Sequence, residues 1–427
     1  LLYSFIILLL SCNTTDPPIN VDGKINLNLI DVSVTETYLF ISLENNTTRS
    51  ISVFQDNEII LNFNLAENDT IILINNLKES SEYKVKAVLK NGAATVDVSS
   101  EIRLTTRAPT NQNITWQVYT YGNPSYGSSV LRDVSIIDEN NIWVVGEVYQ
   151  LDSLGQTDTQ VYGAGHWNGS EWNLMKVPLR DYGNPRPAPT PFNLKTVFTT
   201  ENEIYASTSA HIIKFENDKW VEKYFLMEDL NFNGQVIQMY AYSEDNIYCV
   251  GRNGSIYNIT STGWNKLESG TETTLGDIWG CVNPISGDNI KYVTGRLLEV
   301  GDEAKLIKIS GSDMAEEMFW GEYSDPYSIW SNKSFPIFVS GSYFYANKTG
   351  NWERVDELSG KSSTCVRGAA LNDIFICGSQ GLLAQYNGLG WKRYDEVVPG
   401  SIDIKGNTVC IVGEIGLDAI IVIGKRN

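Results

Sequence analysis

Of the side chains able to do chemistry in this 427-residue chain, the histidines are the quickest to weigh, because only His166 and His211 exist. Two imidazoles could hold a catalytic metal if both reached one ion. They stand in "AGHWNG" and "AHIIKFEND", and aligning these segments puts His166 level with Lys214, three residues after His211. Strand side chains alternate with a period of two, so an offset of three turns the rings to opposite faces. A shared metal is therefore not expected, and ordinary surface or inter-sheet histidines are. Beyond Cys12, the cysteines Cys249, Cys281, Cys365, Cys377 and Cys410 are odd in number and show no C-x-x-C spacing, which fits neither a disulfide framework nor a zinc site. Cys249, Cys377 and Cys410 sit in apolar runs and read as small buried hydrophobes. No G-x-S-x-G elbow, Walker loop, H-E-x-x-H or EF-hand pattern occurs.

Carboxylates remain. Among 51 acidic residues, Asp133, Asp277 and Asp403 occupy matched places, with Thr196, Gln238, Ser328 and Cys365, just before the apolar centres of seven similar segments. If all seven face one axis, three carboxylates share a polar funnel. It could hold a hard cation such as Ca²⁺ through oxygen ligands, or supply a carboxylate pair to a hydrolase or lyase. A water-filled channel with hydrated side chains is the favoured reading, because ring geometry sets the acids far apart for one ion. No cofactor is expected beyond that possible Ca²⁺.

The elements that would position these residues announce themselves by repetition. "NIWVVGE", "EIYASTS", "NIYCVGR", "NIKYVTGR", "FPIFVSGS", "DIFICGS" and "NTVCIVGE" recur at about 40 to 48 residues. Each has an apolar segment before it and another after it, and most units end in a Trp-led segment such as "GWNKLES" or "GWKRYDE". Four strands per unit make one blade of a β-propeller, since a lone sheet cannot bury both faces but stacked blades cover each other. The seventh unit has only three strands. The missing Trp-led strand stands upstream as "ITWQVYTYG", from Ile114, and is expected to complete the last blade and remove an open edge. The repeat resembles secreted bacterial propellers with an N-D-I-[WYF]-x-V-G … Y-N-G-x-x-W pattern, over 114–427, best in blades one, three and six and eroded in four and five. That resemblance implies a fold and little about activity.

Upstream, 24–106 alternates in short runs such as "INLNLIDVSVT" and "EYKVKAVL", expected to form about seven strands of a β-sandwich. "LKESSEYKVKAVLKNG", with Leu77 six residues before Tyr83, resembles the tyrosine corner of a fibronectin type III domain. The sequence lacks that family's Trp, and Phe40 is expected in its place. Such domains mostly serve as spacers or adhesion modules. Residues 107–113 read as a polar linker. At the front, "LLYSFIILLL" is too short to span a bilayer and fits the apolar part of a signal peptide whose start is missing (1–12). Leu9-Leu10-Ser11-Cys12 resembles a lipobox, which implies lipidation of Cys12, a tether over 13–23 and a place at the outer membrane, facing the periplasm or the exterior.

The formal charge of −19 argues against nucleic acid, because phosphate binding needs clustered Lys and Arg. The longest loops (121–129, 148–165, 178–193, 227–235 and 297–304) fall on the propeller face where strands two and three connect and where one blade leads to the next. That face is expected to carry Tyr121, Tyr126, Tyr149, Tyr182, Phe192, Phe232 and Tyr323, residue types that stack on sugars or anchor protein partners. Packing that holds the loops together would explain them equally. The leading expectation is an all-β, non-enzymatic, monomeric envelope protein that binds a glycan, peptide or envelope protein. A carbohydrate-active hydrolase or lyase, and a purely structural component, are the alternatives.

Overall fold

The computed structural model describes residues 23–427 except 45–49, 124, 153, 181–188, 227–234, 244–245, 299, 312, 322–323, 359 and 395–399. Cys12, Tyr182, Phe232 and Tyr323 lie outside the described residues. The structure is all-β, and among the described residues no helix is long and apolar enough to cross a membrane. Contacts divide the chain into two compact units. One comprises Leu1–Asn28, Phe40–Thr70 and Tyr83–Leu104, and the other Leu29–Leu39, Ile71–Glu82 and Thr105–Asn427.

In the first unit Ser50–Gln55 lies between Glu58–Asn64 and Glu82–Asn91, and the latter also pairs Ala94–Val98 and Ile102–Thr105. A second sheet joins Lys24–Val32, Thr37–Glu44 and Asp69–Ile74, three strands that each run from one unit into the other. Leu77 is buried and Tyr83 half-buried. The expectation for Phe40 fails by one residue. Leu39, Ile41 and Leu43 are buried, and strand alternation sets Phe40 on the other, half-buried face.

The second unit contains seven four-stranded antiparallel meanders, with first strands Val130–Asp138, Thr196–Thr199, Val236–Ser243, Thr274–Val282, Pro326–Trp330, Ser363–Ala370 and Gly400–Lys405. We call them sheets one to seven. Second strands such as Asn246–Gly251 and Asp373–Gly378 are buried almost throughout, because both of their faces are covered. Fourth strands such as Ala315–Met318 are largely open. Apolar clusters join each pair of successive sheets from one to four, and sheets six and seven. One further cluster packs Leu131, Val134 and Ile142 of sheet one against Cys410, Val412 and Ile421 of sheet seven. The first strand of each sheet touches that of the next, and that of sheet seven touches that of sheet one. The fourth strand of sheet seven is Ile114–Tyr121, paired with Asp418–Arg426 from Arg426↔Ile114 to Ala419↔Tyr121.

The recurring glycine of the second strand has a steric cause. A Cβ at Gly146, Gly251, Gly341 or Gly378 would collide with a backbone carbonyl at the start of its own sheet's first strand, that of Val130, Gln235, Asp325 or Ser362. Residues 107–113, expected as a hinge, are strapped to sheet six. Thr110 N donates to Asn387 O at 3.2 Å, Gln112 Nε2 to Gln385 O at 2.9 Å, and Tyr394 Oη to Gln112 O at 2.9 Å.

Candidate ligand-binding channel

The first strands line a channel, and a β-bulge near their beginnings sets which residues point into it. The register shifts between Leu131 and Asp133, Val236 and Gln238, Leu275 and Asp277, Pro326 and Ser328, and Ser363 and Cys365. Each shift follows the pair that contains the recurring glycine. Sheet seven has no such bulge, so Gly400↔Gly413 is followed directly by Ser401↔Val412. Ser401, not Asp403, therefore stands level with Asp133 and Asp277. This corrects the expected ring. Asp403 lies two residues further along the strand, in the next layer, level with Ser135, Tyr240, Trp279 and Arg367.

The acids do not form an open oxygen cage. Asp133 accepts bonds from Thr196 Oγ1 at 2.7 Å, Val197 N at 3.0 Å, Ser401 Oγ at 2.8 Å and Val134 N at 3.0 Å. Asp277 takes Ile329 N at 3.0 Å and both terminal nitrogens of Arg367, at 2.8 and 3.0 Å. Asp403 accepts from Ile136 N at 2.7 Å and Ile404 N at 2.8 Å. Each carboxylate thus holds an amide of the following sheet, as Ser328 Oγ does for Val366 N at 3.3 Å. Such charge-assisted bonds contribute about 1.5–3 kcal/mol each. Donors and a guanidinium occupy the positions a hard cation would need, so these residues do not fit Ca²⁺. Burial raises the pKa of Asp133 against its bonds from Thr196, Val197 and Ser401 and the charge of Arg367, and pushes that of Asp403 up to about 6.

Arg367 went unnoticed in the sequence, where "STCVRGAA" gives no sign that this charge turns inward. It is buried, donates to Ser328 Oγ at 2.8 Å and Val366 O at 2.8 Å, and lies 4.9 Å from the Trp279 ring. Burial works against its charge, but Asp277 and Cys365 lift its pKa above the ordinary arginine range. Arg367 and Gln238 border two cavities. The smaller, about 160 Å³, is lined by Asp133, Tyr240, Trp279 and Asp403 toward the short-turn face. The larger, about 510 Å³, is bounded by the starts of the first strands and the ends of second strands, on the long-loop face. Arg132, Lys195, Arg252, Arg296 and Arg367 line it, and Asp277 is its one carboxylate among the described residues. These cations were also missed, although Gly251-Arg252 and Gly295-Arg296 repeat a basic residue after the recurring glycine.

Behind the rim, Arg132 pairs with Glu147 at 3.3 Å and Arg296 with Asp325 at 3.6 Å. Arg296 lies 4.2 Å from the Tyr327 ring, and its Nε is buried without an acceptor among the described residues. Burial and the charge of Arg132 hold the Lys195 ammonium below the ordinary lysine range, against the pull of Glu147.

Of the loop aromatics, the structure brings Tyr126 and Tyr149 together at 4.9 Å, and Tyr149 Oη donates to Glu147 at 2.8 Å. Tyr121 packs on the cluster between sheets one and seven, and Phe192 lies 5.5 Å from His211. The histidines have separate neighbours. His166 stacks on Trp143 at 4.4 Å, and His211 Nδ1 meets Glu222 at 2.7 Å.

No family model and no curated protein matches the chain. Among solved structures, one described as YCF48 bound to D1 peptide is similar at TM-score 0.54 and 13% identity, over 75% of this chain and 97% of that one. This likeness and the four-stranded sheets define the class, an all-β protein of β-propeller type. Apo AztD from Citrobacter koseri is matched over 94% of this chain and 98% of that one, at 11% identity and TM-score 0.25, which adds nothing to the assignment.

Proposed function

We propose that the chain is a membrane-tethered, extracytoplasmic binding protein. Its propeller has seven blades, closed by Ile114–Tyr121, and recognises a protein partner through the long-loop face. A fibronectin type III-like domain (24–106) serves as spacer, and a lipid on Cys12 holds the protein at the outer membrane. The observation that carries this reading is the cavity of about 510 Å³ at the long-loop end, bounded by residues from all seven sheets. Channel mouths of this size and composition suit ligands held by a few placed polar groups. The carboxylates that an enzyme would use are instead engaged in latching one sheet to the next. The similar YCF48 structure is described as bound to a peptide, which supports a protein partner over a glycan. One observation favours the hydrolase reading as a second: Asp403, with its pKa near 6, borders the smaller cavity.

Selection of a random peptide display library on the purified protein tests the proposal. Peptides should be enriched whose binding falls at least tenfold in the Tyr126→Ala/Tyr149→Ala variant. Failure to enrich any peptide removes the long-loop face as the site, and equal binding by the variant removes the tyrosine pair from it. Incorporation of a labelled fatty acid that is lost in Cys12→Ala tests the anchor.

A further inference from the structure

The protein carries a formal charge of −19, yet among the described residues the long-loop mouth of its channel is lined by five cations and one carboxylate. That carboxylate, Asp277, is already bound by Arg367 at the floor. Glu147 and Asp325 stand behind the rim, beside Arg132 and Arg296. Arg296 keeps a buried Nε without an acceptor among the described residues, and burial and the charge of Arg132 disfavour the Lys195 ammonium against the pull of Glu147. Cations clustered in a concave, partly dry site, against the sign of the whole molecule, focus potential on a ligand of opposite charge.

We propose that the long-loop mouth binds an acidic peptide segment, whose carboxylates pair with Arg132, Lys195, Arg252 and Arg296. The proposal rests on the binding reading above and names its ligand. The placement of the cations favours several carboxylates along a chain over one compact anion. Arg132, Lys195, Arg252 and Arg296 come from four successive sheets, one each, so they form a crescent along part of the rim. Sheets five and seven contribute uncharged Tyr327 and Ser401 there. The aromatic surface argues against an acidic glycan. Sugars stack on open ring faces, and Tyr327, the one aromatic lining the cavity among the described residues, is covered by the Arg296 guanidinium. Arginine forks suit planar carboxylates, which they bind through two parallel bonds.

The test is fluorescence anisotropy of the purified full chain with a labelled twelve-residue peptide rich in Glu, and with its Gln counterpart. Measurements run at low and high NaCl. The Glu peptide should bind, and the Gln peptide should bind at least tenfold more weakly. Raising NaCl from about 50 to 300 mM should weaken the Glu complex by about tenfold, as screening shortens the reach of partly exposed charges. Lys195→Gln and Arg296→Gln should each weaken binding by about three- to tenfold, while Arg354→Gln, an exposed charge on the outer strand of sheet five, leaves it unchanged. Equal binding of both peptides, or no loss in Lys195→Gln and Arg296→Gln, overturns the proposal. Competition by millimolar inorganic phosphate that removes all peptide binding overturns it in favour of a compact-anion site, and preferential binding of an acidic oligosaccharide overturns it in favour of a glycan. If display yields only neutral or basic peptides that still depend on Tyr126 and Tyr149, the charge assignment fails and the binding function stands. If display yields none, both fail.

Discussion

Replacing Asp403 by Asn tests whether the channel encloses its acids as described. Burial pushes the Asp403 pKa from 3.8 to about 6, against amide donation from Ile136 and Ile404 and the charge of Arg367. A carboxyl with a raised folded pKa binds its proton more tightly in the native state. Its contribution to stability is therefore present at low pH and lost as the pH rises through about 6. At about 1.36 kcal/mol per unit, linkage gives a loss of about 1.4 kcal/mol between pH 5 and 7.5. Part of the residue still meets solvent through the cavity, which trims the expectation to about 1 kcal/mol. Urea unfolding of the wild type and Asp403→Asn at both pH values provides the assay. The amide cannot titrate, and the cost of turning one acceptor into a donor cancels when each protein is compared with itself. Wild type should lose about 1 kcal/mol more than the variant on going from pH 5 to 7.5. Equal losses, or a larger loss in the variant, would refute an enclosed Asp403.

Arg367→Met should cost about 3–5 kcal/mol in urea unfolding by leaving Asp277 buried without its cation, and adding Asp277→Leu should restore most of it; a single-variant cost under about 1 kcal/mol would show that the pair is not structural. Among the thiols, burial pushes Cys249 and Cys281 up to about 12, whereas Cys365 borders the larger cavity and the nearby Arg367 charge favours its thiolate. Mild alkylation of the folded protein at pH 8 should therefore mark Cys365 alone among Cys249, Cys281, Cys365, Cys377 and Cys410, and peptide mapping that finds Cys249 or Cys281 labelled equally would contradict it.

The repeated sheets were legible because every blade must satisfy the same demands. The apolar second strand is covered on both faces, and the glycine ending it sits against a carbonyl, so both recur in the sequence. The pairing of "ITWQVYTYG" with the last three strands was equally legible, since an incomplete unit at one end and a spare Trp-led strand upstream complement each other. The channel was not. Aligning segments on their apolar centres ignores the bulge that five sheets have and sheet seven lacks, and that one residue moved Asp403 a full layer. Arg367 was invisible for a different reason. A charged residue in a strand reads as solvent-facing by alternation, and only the ion pair with Asp277, 90 residues away, makes its inward position tolerable. The mouth cations left a weak trace, a basic residue after the recurring glycine in sheets three and four, which the overall acidity of the chain concealed.

The pairing of Ile114–Tyr121 with Asp418–Arg426 also bears on how a polypeptide is judged during synthesis. Roughly 300 residues separate the two strands, a long-range contact of the slow-forming kind. A chain interrupted anywhere before Asp418 would leave the hydrogen-bonding edge of Ile114–Tyr121 and the apolar face of sheet one uncovered, both of them features that invite aggregation and proteolysis. The earlier sheets could fold in turn without concealing that defect. Arrival of Asp418–Arg426 then conceals that edge, separating chains that carry this strand from chains cut before it by what each leaves exposed.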